Sequence, residues 1–190
     1  MRRILRRKRH EVLPERPKIM CWDLDGLLIG NGKENLSEPA LQGLWTDGFT
    51  NVVTTASPAD YAEAELRKRE LHHYINQVYG EILSGEGKMY LPVAANAGLH
   101  PVEHCSNLVV IGNSMGDIPV DISAVFILSD NPEKVAKLIR TIDAKSGFLE
   151  GYFGSEPACF VKTAHSRSYD NVKIPVFADK TFLEYLTKTH

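Results

Sequence analysis

Short apolar runs alternate along the chain with longer segments in which apolar residues recur at helical spacing. The four runs are residues 19–22, 52–55, 108–111 and 124–128. Each run predicts a strand that is buried on both faces of a sheet. Strands that alternate with helices in this way predict an α/β fold, in which a parallel sheet is flanked by helices.

The first two helices are predicted from their start signals. Each begins with a serine that we expect to cap the helix, Ser37 or Ser57, and each has a proline in its first turn. The first helix is expected to end at Gly48, because glycine commonly follows the last helical turn. The second helix is expected to continue to about residue 71.

The centre of the chain is less regular. Residues 85–88 predict a glycine-containing loop, and residues 89–97 predict a third helix in spite of Pro92. A fourth helix is expected to start after Asn131, with its apolar residues on one face.

The pattern changes again from about residue 146, where we place the start of a C-terminal extension. Two strands, an exposed loop between them and a terminal helix are predicted there, over residues 158–163, 174–177, 164–170 and 181–187. We therefore predict a basic N-terminal arm over residues 1–18 and a single domain over residues 19–190 that includes the extension.

The arm differs from the rest of the chain in charge. Residues 1–18 hold eight Lys or Arg and two Glu, a net charge of +6, whereas the remainder carries −8. The basic run from Arg2 to Arg9 suits nucleic acid or another anionic surface. A solvated arm and a targeting extension are the alternatives.

The composition is typical of a soluble globular protein, with 43% hydrophobic and 24% charged residues among 190. No apolar run approaches the roughly 20 residues of a membrane span, and no secretory signal is indicated. The three cysteines are widely spaced and form no metal-ligand pattern, so we predict a reducing, cytoplasmic location. Cys21 lies inside an apolar run and is expected to pack in the core.

Polar residues follow the predicted strands. Asp23 and Asp25 end the first run, a Thr54-Thr55-Ala56-Ser57 segment ends the second, and residues 112–117 follow the third. Two carboxylates at the mouth of a buried strand are unfavourable unless something positive binds there, and α/β sheets bind ligands at this end. Plain turns and helix capping are the alternative interpretations of these segments. Lys88, in the glycine-containing loop, is a further candidate, and its alternative interpretation is a solvated surface lysine.

These features, taken in order, resemble the four motifs of the haloacid dehalogenase (HAD) superfamily. Asp23-Leu24-Asp25-Gly26 matches the first motif, Asp-x-Asp-Gly. Thr55 matches the second, with Thr54 as the competing register, and Lys88 matches the third. Gly112-Asn113-Ser114-Met115-Gly116-Asp117 resembles the fourth, usually Gly-Asp-x-x-x-Asp. The resemblance covers residues 19–130 and implies a Rossmann-like α/β fold.

By this resemblance, Asp23 would be a nucleophile that forms an aspartyl-phosphate, and Asp25 would act as general acid and then general base. Lys88 would hold Asp23 ionised. Thr54 or Thr55, the backbone at Ala56 and Lys88 would bind the phosphoryl group.

The resemblance also implies a Mg²⁺ ion, held by the Asp23 carboxylate, the Asp25 carbonyl oxygen, Asn113 and Asp117. Asn113 stands where the family usually has an acid, so it contributes no charge. Asp117 would then be the main acidic ligand of the fourth motif, or Asp121 would help. Leu27 also departs from the family's usual threonine.

The spacing of the motifs predicts an open site. Only 29 residues separate Asp25 from Thr55, and 32 separate Thr55 from Lys88, so neither gap holds a large cap domain. By the resemblance, such a site serves a large, even macromolecular, phosphorylated substrate or is covered by a neighbouring subunit in a homo-oligomer.

The leading hypothesis is therefore a Mg²⁺-dependent phosphohydrolase that cleaves phosphate monoesters. A non-catalytic protein that binds nucleic acid or another anionic partner is the alternative, and phosphoryl transfer to an acceptor other than water is a third. His100 and His104 are interpreted as surface or packing residues, because Pro101 disfavours a helical metal pair.

Overall fold

A computed structural model gives the structure of the chain. It describes residues 18–30, 32, 34–84, 87–99, 107–122, 124–146, 159–162 and 173–178. The basic arm up to residue 17, the two histidines at 100 and 104, the 164–170 loop and the 181–187 helix lie outside the described residues. No described helix is both long and apolar enough to cross a membrane.

The centre of the fold is a seven-stranded sheet. The strands among the described residues are β1 (Ile19–Trp22), β2 (Thr50–Thr54), β3 (Gln77–Tyr79), β4 (Leu83–Ser84), β5 (Gly87–Lys88), β6 (Leu108–Gly112), β7 (Val125–Leu128), β8 (Cys159–Lys162) and β9 (Lys173–Ala178). The sheet has the order β3-β2-β1-β6-β7-β9-β8, and β4 pairs with β5 in a separate hairpin. Every neighbouring pair is parallel except β8 and β9, which are antiparallel.

The strand order reverses between β1 and β6. From β1 the chain proceeds to β2 and β3 on one side, and later to β6 and β7 on the other. The loops after β1 and β6 therefore diverge and leave a crevice at the carboxyl ends of the strands. Such a switch point is where α/β sheets commonly bind ligands.

Helices cover both faces of the sheet. They are α1 (Ser37–Thr46), α2 (Ala59–Lys68), α3 (Leu91–Asn96) and α4 (Pro132–Ser146). Met20 and Trp22 of β1 pack in one core cluster with residues of α1, α2 and α4. Ile19 and Cys21 pack in a second cluster on the opposite face, with residues of α3. This alternation follows from the two-residue period of a strand and confirms the core position predicted for Cys21.

The predicted α/β fold is confirmed. The four apolar runs form β1, β2, β6 and β7, and the two strands predicted in the extension form β8 and β9. Within the described residues, neither gap between the motifs holds a cap domain. The predicted start of the extension near residue 146 coincides with the end of α4, and β9 of the extension pairs with β7. The division into an arm and a single domain stays a prediction.

The predicted helix starts were wrong at both serines. Helix α1 begins at Ser37 itself, whose Oγ donates to the buried Leu28 carbonyl oxygen at 2.9 Å. Helix α2 begins at Ala59, and its N-cap is Pro58 without a side-chain bond. Both serine hydroxyls are used in tertiary contacts instead, which no local pattern distinguishes from capping.

Two further boundaries differ from the prediction. Helix α2 ends at Lys68, and a 3-10 helix follows over Leu71–Tyr74. Helix α3 is only six residues long, and its proline lies in the first turn, where a missing N–H is tolerated.

The loop predicted over residues 85–88 is the other correction. Gly87 and Lys88 form β5, which pairs antiparallel with β4. The hairpin also contacts the chain after β6, because Val120 N donates to the Lys88 carbonyl oxygen at 3.2 Å. Lys88 is 4% exposed, so it is a buried residue and not a solvated one.

Candidate active site

Asp23 follows the last residue of β1 and lies in the crevice at the switch point. Its backbone N–H donates to the Ile111 carbonyl oxygen at 2.9 Å, which continues the pairing of β1 with β6. The residue is 6% exposed, and its Oδ1 contacts the Lys88 ammonium. A buried carboxylate is therefore fixed at the end of a central strand and has a cation beside it.

The Lys88 ammonium is satisfied by three acceptors. It contacts Asp23 Oδ1, lies 2.7 Å from Asp117 Oδ1, and donates to the Thr54 carbonyl oxygen at 3.3 Å. These acceptors match the three donors of an ammonium group. The β4–β5 hairpin thus brings a cation between acids that follow two neighbouring strands.

The charges shift the acid–base properties of the pair. Burial, with Asp117 nearby, raises the pKa of Asp23 to about 6, although Lys88 opposes the shift. Burial lowers the pKa of Lys88, but Asp23 and Asp117 together outweigh it and raise that pKa above its usual value. At neutral pH the lysine is therefore charged, and it supports the ionised form of Asp23 against the effect of burial.

Asp25 is exposed and lies beside the buried pair. Its Oδ2 accepts a hydrogen bond from Ser57 Oγ at 3.1 Å. Its backbone carbonyl oxygen accepts one from Asn113 Nδ2 at 3.1 Å. The first and fourth sequence motifs are therefore in direct contact, together with the loop that follows β2.

The two threonines of the second motif have different surroundings. The Thr54 hydroxyl donates to the Trp22 carbonyl oxygen at 3.3 Å, so its proton is used within the sheet. The Thr55 hydroxyl accepts the Ser57 N–H at 3.0 Å, which leaves its own proton for another acceptor. The geometry favours Thr55 as the hydroxyl that donates to an anionic oxygen, next to the exposed Ala56.

The acids of the fourth motif are engaged with protein groups. Asp117 Oδ1 faces Lys88, and its Oδ2 accepts the Ser114 N–H at 3.0 Å. Both oxygens of Asp121 accept backbone N–H groups, from Tyr90 at 2.7 Å and Leu91 at 2.8 Å. Asp121 therefore holds the start of α3 with both carboxylate oxygens, and the suggestion that it helps to bind a metal stays a prediction.

The oxygen ligands near Asp23 suit a hard cation. The described residues contain no cluster of three or more His, Cys, Asp or Glu arranged for a metal. Nevertheless, the Asn113 amide lies against the Asp25 carbonyl oxygen, close enough for both to face one ion if the amide presents its oxygen. Together with the Asp23 carboxylate these are oxygen ligands of the kind that Mg²⁺ prefers. Three acids against one lysine also leave the site negative, so the residues fit such a cation.

Two residues of the site were not assigned to it from the sequence. Ser57 was interpreted as a helix cap, although its position two residues after Thr55 was a signal for the same loop. The Tyr90 hydroxyl donates to the Asp117 carbonyl oxygen at 3.0 Å and is fully buried. No sequence pattern marks Tyr90, because a tyrosine between the apolar Met89 and Leu91 is what an ordinary core segment would contain.

Gly112 provides a test of the site's packing. A Cβ at this position would lie 2.3 Å from the Asp117 Cβ, which real structures do not allow. Gly112→Ala is expected to displace Asp117 from Lys88 and to destabilise the fold by about 1–3 kcal/mol. Urea unfolding would measure this loss of stability.

Gly43→Ala is the matched control, because its Cβ would meet only the flexible end of the Arg140 side chain, at 3.2 Å. Equal behaviour of the two variants would contradict the close approach at Gly112.

The fold is similar to those of solved hydrolases. A HAD-superfamily hydrolase from Ehrlichia chaffeensis matches with a TM-score of 0.52 at 12% identity, over 67% of this chain and 98% of that one. A 3-deoxy-D-manno-octulosonate 8-phosphate phosphatase from Moraxella catarrhalis, in complex with magnesium and phosphate ions, matches with a TM-score of 0.50 at 16% identity. This match covers 70% of this chain and 90% of the phosphatase chain. No protein-family model and no curated protein matches the chain.

Proposed function

We propose that this chain, which has the fold of the haloacid dehalogenase superfamily, hydrolyses phosphate monoesters through a phosphorylated Asp23. The observation that carries the proposal is the buried contact of Lys88 with Asp23 at the switch point, next to the exposed Asp25. One carboxylate that is charge-paired and one that is free to exchange protons are what a two-step phosphoryl transfer requires.

In the first step, a carboxylate oxygen of Asp23 attacks phosphorus while the bond to the leaving oxygen breaks. Asp25 gives its proton to that oxygen, so the alcohol leaves neutral. In the second step, water attacks phosphorus, Asp25 takes a proton from the water, and the bond to Asp23 breaks. Inorganic phosphate leaves, and both acids return to their starting states.

The transferring group carries negative charge that the site must stabilise. Lys88 supplies a fixed positive charge, and the Thr55 hydroxyl and the backbone N–H of Ala56 supply hydrogen bonds. Asp117 keeps Lys88 charged and oriented through its 2.7 Å contact. Because phosphoryl transfer depends mainly on positioning and charge, these groups are the main contribution of the protein itself to the reaction.

A Mg²⁺ ion would be held by the Asp23 carboxylate, the Asp25 carbonyl oxygen and Asn113, with Asp117 at the edge of the set. When bound, it neutralises charge between the nucleophile and the phosphoryl oxygens. The magnesium and phosphate ions in the Moraxella catarrhalis neighbour support the same classes of ligand here.

The proposal is tested with p-nitrophenyl phosphate and a panel of phosphorylated sugars, nucleotides and oligonucleotides. We expect hydrolysis in Mg²⁺ and its loss in excess EDTA, with recovery when Mg²⁺ is restored. An absence of turnover over the whole panel in Mg²⁺ would contradict the proposal. Stoichiometric binding of an oligonucleotide without turnover would instead favour the non-catalytic alternative.

Asn113 gives a sharper prediction about the metal. Asn113→Asp adds a negative charge beside the Asp25 carbonyl oxygen, so we expect the Mg²⁺ concentration for half-maximal activity to fall several-fold. Magnesium titrations of turnover would measure it. Asn96→Asp, on α3, is the control and is expected to leave the titration unchanged. A half-maximal concentration that is unchanged or raised in Asn113→Asp would argue against a metal at this position.

The substrate is proposed to be large. The site has no cap among the described residues, and the basic arm carries +6, which favours an anionic macromolecule. A lid contributed by a second subunit is the other way to cover such a site. Within the panel, faster turnover of phosphorylated oligonucleotides than of sugar phosphates would support a macromolecular substrate.

A further inference from the structure

Ser57 lies between β2 and α2, and its hydroxyl donates to Asp25 Oδ2 at 3.1 Å. We propose that Ser57 is a positioning residue for Asp25. The Ser57 hydroxyl holds one carboxylate oxygen of Asp25, so that the other carboxylate oxygen exchanges protons with the leaving group and with water. The inference rests on the proposed phosphohydrolase function, and it assigns to the loop after Thr55 a task in proton transfer in addition to phosphate binding.

The backbone of Ser57 is fixed from two directions. Its N–H donates to Thr55 Oγ1 at 3.0 Å, and its carbonyl oxygen accepts the Glu81 N–H at 3.0 Å. Glu81 has a φ of 56°, in the left-handed region that non-glycine residues rarely adopt. A residue held in this way presents its hydroxyl from a constant position.

The chain after β3 also packs closely against this loop. A Cβ on Gly80 would lie 2.3 Å from Ala59 N and 2.8 Å from the Ser57 carbonyl oxygen, so only glycine allows the approach. Pro58, with φ of −55°, follows Ser57 and restricts the backbone further. The position of Ser57 is therefore fixed by the segments that follow β2 and β3 and by Pro58.

Asp25, in contrast, has little else to hold its side chain. It is exposed, and among the described residues the Ser57 hydroxyl is the hydrogen-bond donor to its carboxylate. An exposed aspartate without this bond would sample several rotamers, and the fraction oriented for proton transfer would fall.

The bond has a direct chemical consequence. Because Oδ2 accepts from Ser57, Oδ1 is the oxygen that carries the transferred proton. In the first step the Oδ1 proton moves to the leaving oxygen as its bond to phosphorus breaks, and in the second Oδ1 takes the proton of the attacking water. Ser57 keeps its own proton throughout, so it acts through Asp25 and is not a catalytic residue.

The dependence on the leaving group tests this role. An alkyl phosphate has a poor leaving group and needs the acid, whereas p-nitrophenolate leaves without a proton. For Ser57→Ala we expect kcat/KM to fall by about tenfold or more with glycerol phosphate and by less than about threefold with p-nitrophenyl phosphate. For p-nitrophenyl phosphate, kcat should still fall, because the second step needs the base.

Two further variants complete the design. Ser57→Thr retains a hydroxyl and is expected to restore most of the glycerol phosphate activity. Thr46→Ala removes an exposed hydroxyl of α1, whose present acceptor is the Gln42 carbonyl oxygen, and is expected to leave both substrates unaffected. Thermal unfolding of each variant accompanies the kinetics.

Equal losses of kcat/KM for the two esters in Ser57→Ala, or a gain with either, would overturn the inference, as would the absence of rescue by threonine. Wild-type protein that hydrolyses neither ester would overturn the proposed function and, with it, the inference. The two failures are distinguishable, because only the second appears in the wild-type protein.

Discussion

Asp23→Asn is expected to abolish phosphate ester hydrolysis and, at the same time, to stabilise the metal-free protein. An amide cannot form the acyl phosphate, so we expect turnover to fall by at least about a thousandfold. The gain in stability follows from the electrostatics of the buried site, where burial and Asp117 raise the pKa of Asp23 to about 6 from the ordinary 3.8.

The size of this gain in stability depends on pH. The folded protein holds the Asp23 proton more tightly than the unfolded chain does, so stability falls as pH rises from about 4 to about 6 and stays lower above that range. A shift of this size corresponds to up to about 3 kcal/mol. Asp23→Asn removes the penalty, so its advantage over the wild type should grow between pH 4 and 7.

Urea unfolding in EDTA across this pH range, with turnover in Mg²⁺, would measure both effects. Asp47→Asn is the matched control, because Asp47 is an exposed acid beyond the end of α1, where it pairs with Arg140. We expect it to retain activity and to change stability by less than about 1 kcal/mol. Retained turnover in Asp23→Asn would contradict the role of Asp23 as the nucleophile. A loss of stability would contradict the electrostatic argument.

Lys88→Met is expected to have the opposite effect on stability with the same loss of activity. The change leaves Asp23 and Asp117 buried together without their cation. Removal of one partner from a buried ion pair typically destabilises a protein by about 3–5 kcal/mol. Turnover should fall by at least about a hundredfold, since the fixed positive charge that stabilises the transferring phosphoryl group is lost.

The loss of stability should depend on pH with a defined sign. Without Lys88, the pKa of Asp23 is raised still further, so the penalty is present at neutral pH and decreases on acidification as the Asp23 carboxylate takes up a proton. Unfolding at pH 5 and pH 8 would measure the difference. The double variant Lys88→Met/Asp23→Asn should regain much of the stability and none of the activity.

Lys68→Met is the control for the lysine, because Lys68 is largely exposed and makes only a surface contact with Glu65. Its unfolding free energy should change by less than about 1 kcal/mol at either pH. If Lys88→Met were as stable as Lys68→Met at pH 8, the buried charge network would not have the energetic role assigned to it.

The sequence predicted the core of the fold because that information is local. Each apolar run in β1, β2, β6 and β7 is continuous, and a strand buried on both faces needs no partner to be recognised. Strand β3 was missed since its three residues, Gln77 to Tyr79, include one apolar aliphatic side chain and lie at the edge of the sheet. Edge strands are exposed on one side, so their composition resembles that of loops.

The candidate site was predictable only in part, for a related reason. Lys88 carries no local signal of burial, and its burial depends on acids that are distant in sequence. The contact of Asp121 with the start of α3 was not predicted, because an acid near a metal motif and an acid that accepts backbone N–H groups look the same in sequence. The roles of Asp23, Asp25, Thr55 and Asn113 stay predictions until the variants are measured.

The position of Lys88 on a two-residue strand affects how the site assembles. Among the described residues, the hairpin is held by the two-residue pairing of β4 with β5 and by backbone hydrogen bonds such as Met89 N to the Ile82 carbonyl oxygen at 2.8 Å. The ion pairs of Lys88 therefore contribute to the attachment of the hairpin, and the pair with Asp23 joins groups that are 65 positions apart. Local opening of this hairpin would separate the cation from the nucleophile while the sheet stays folded, so amide hydrogen exchange at Lys88 would report the fraction of molecules with a complete site.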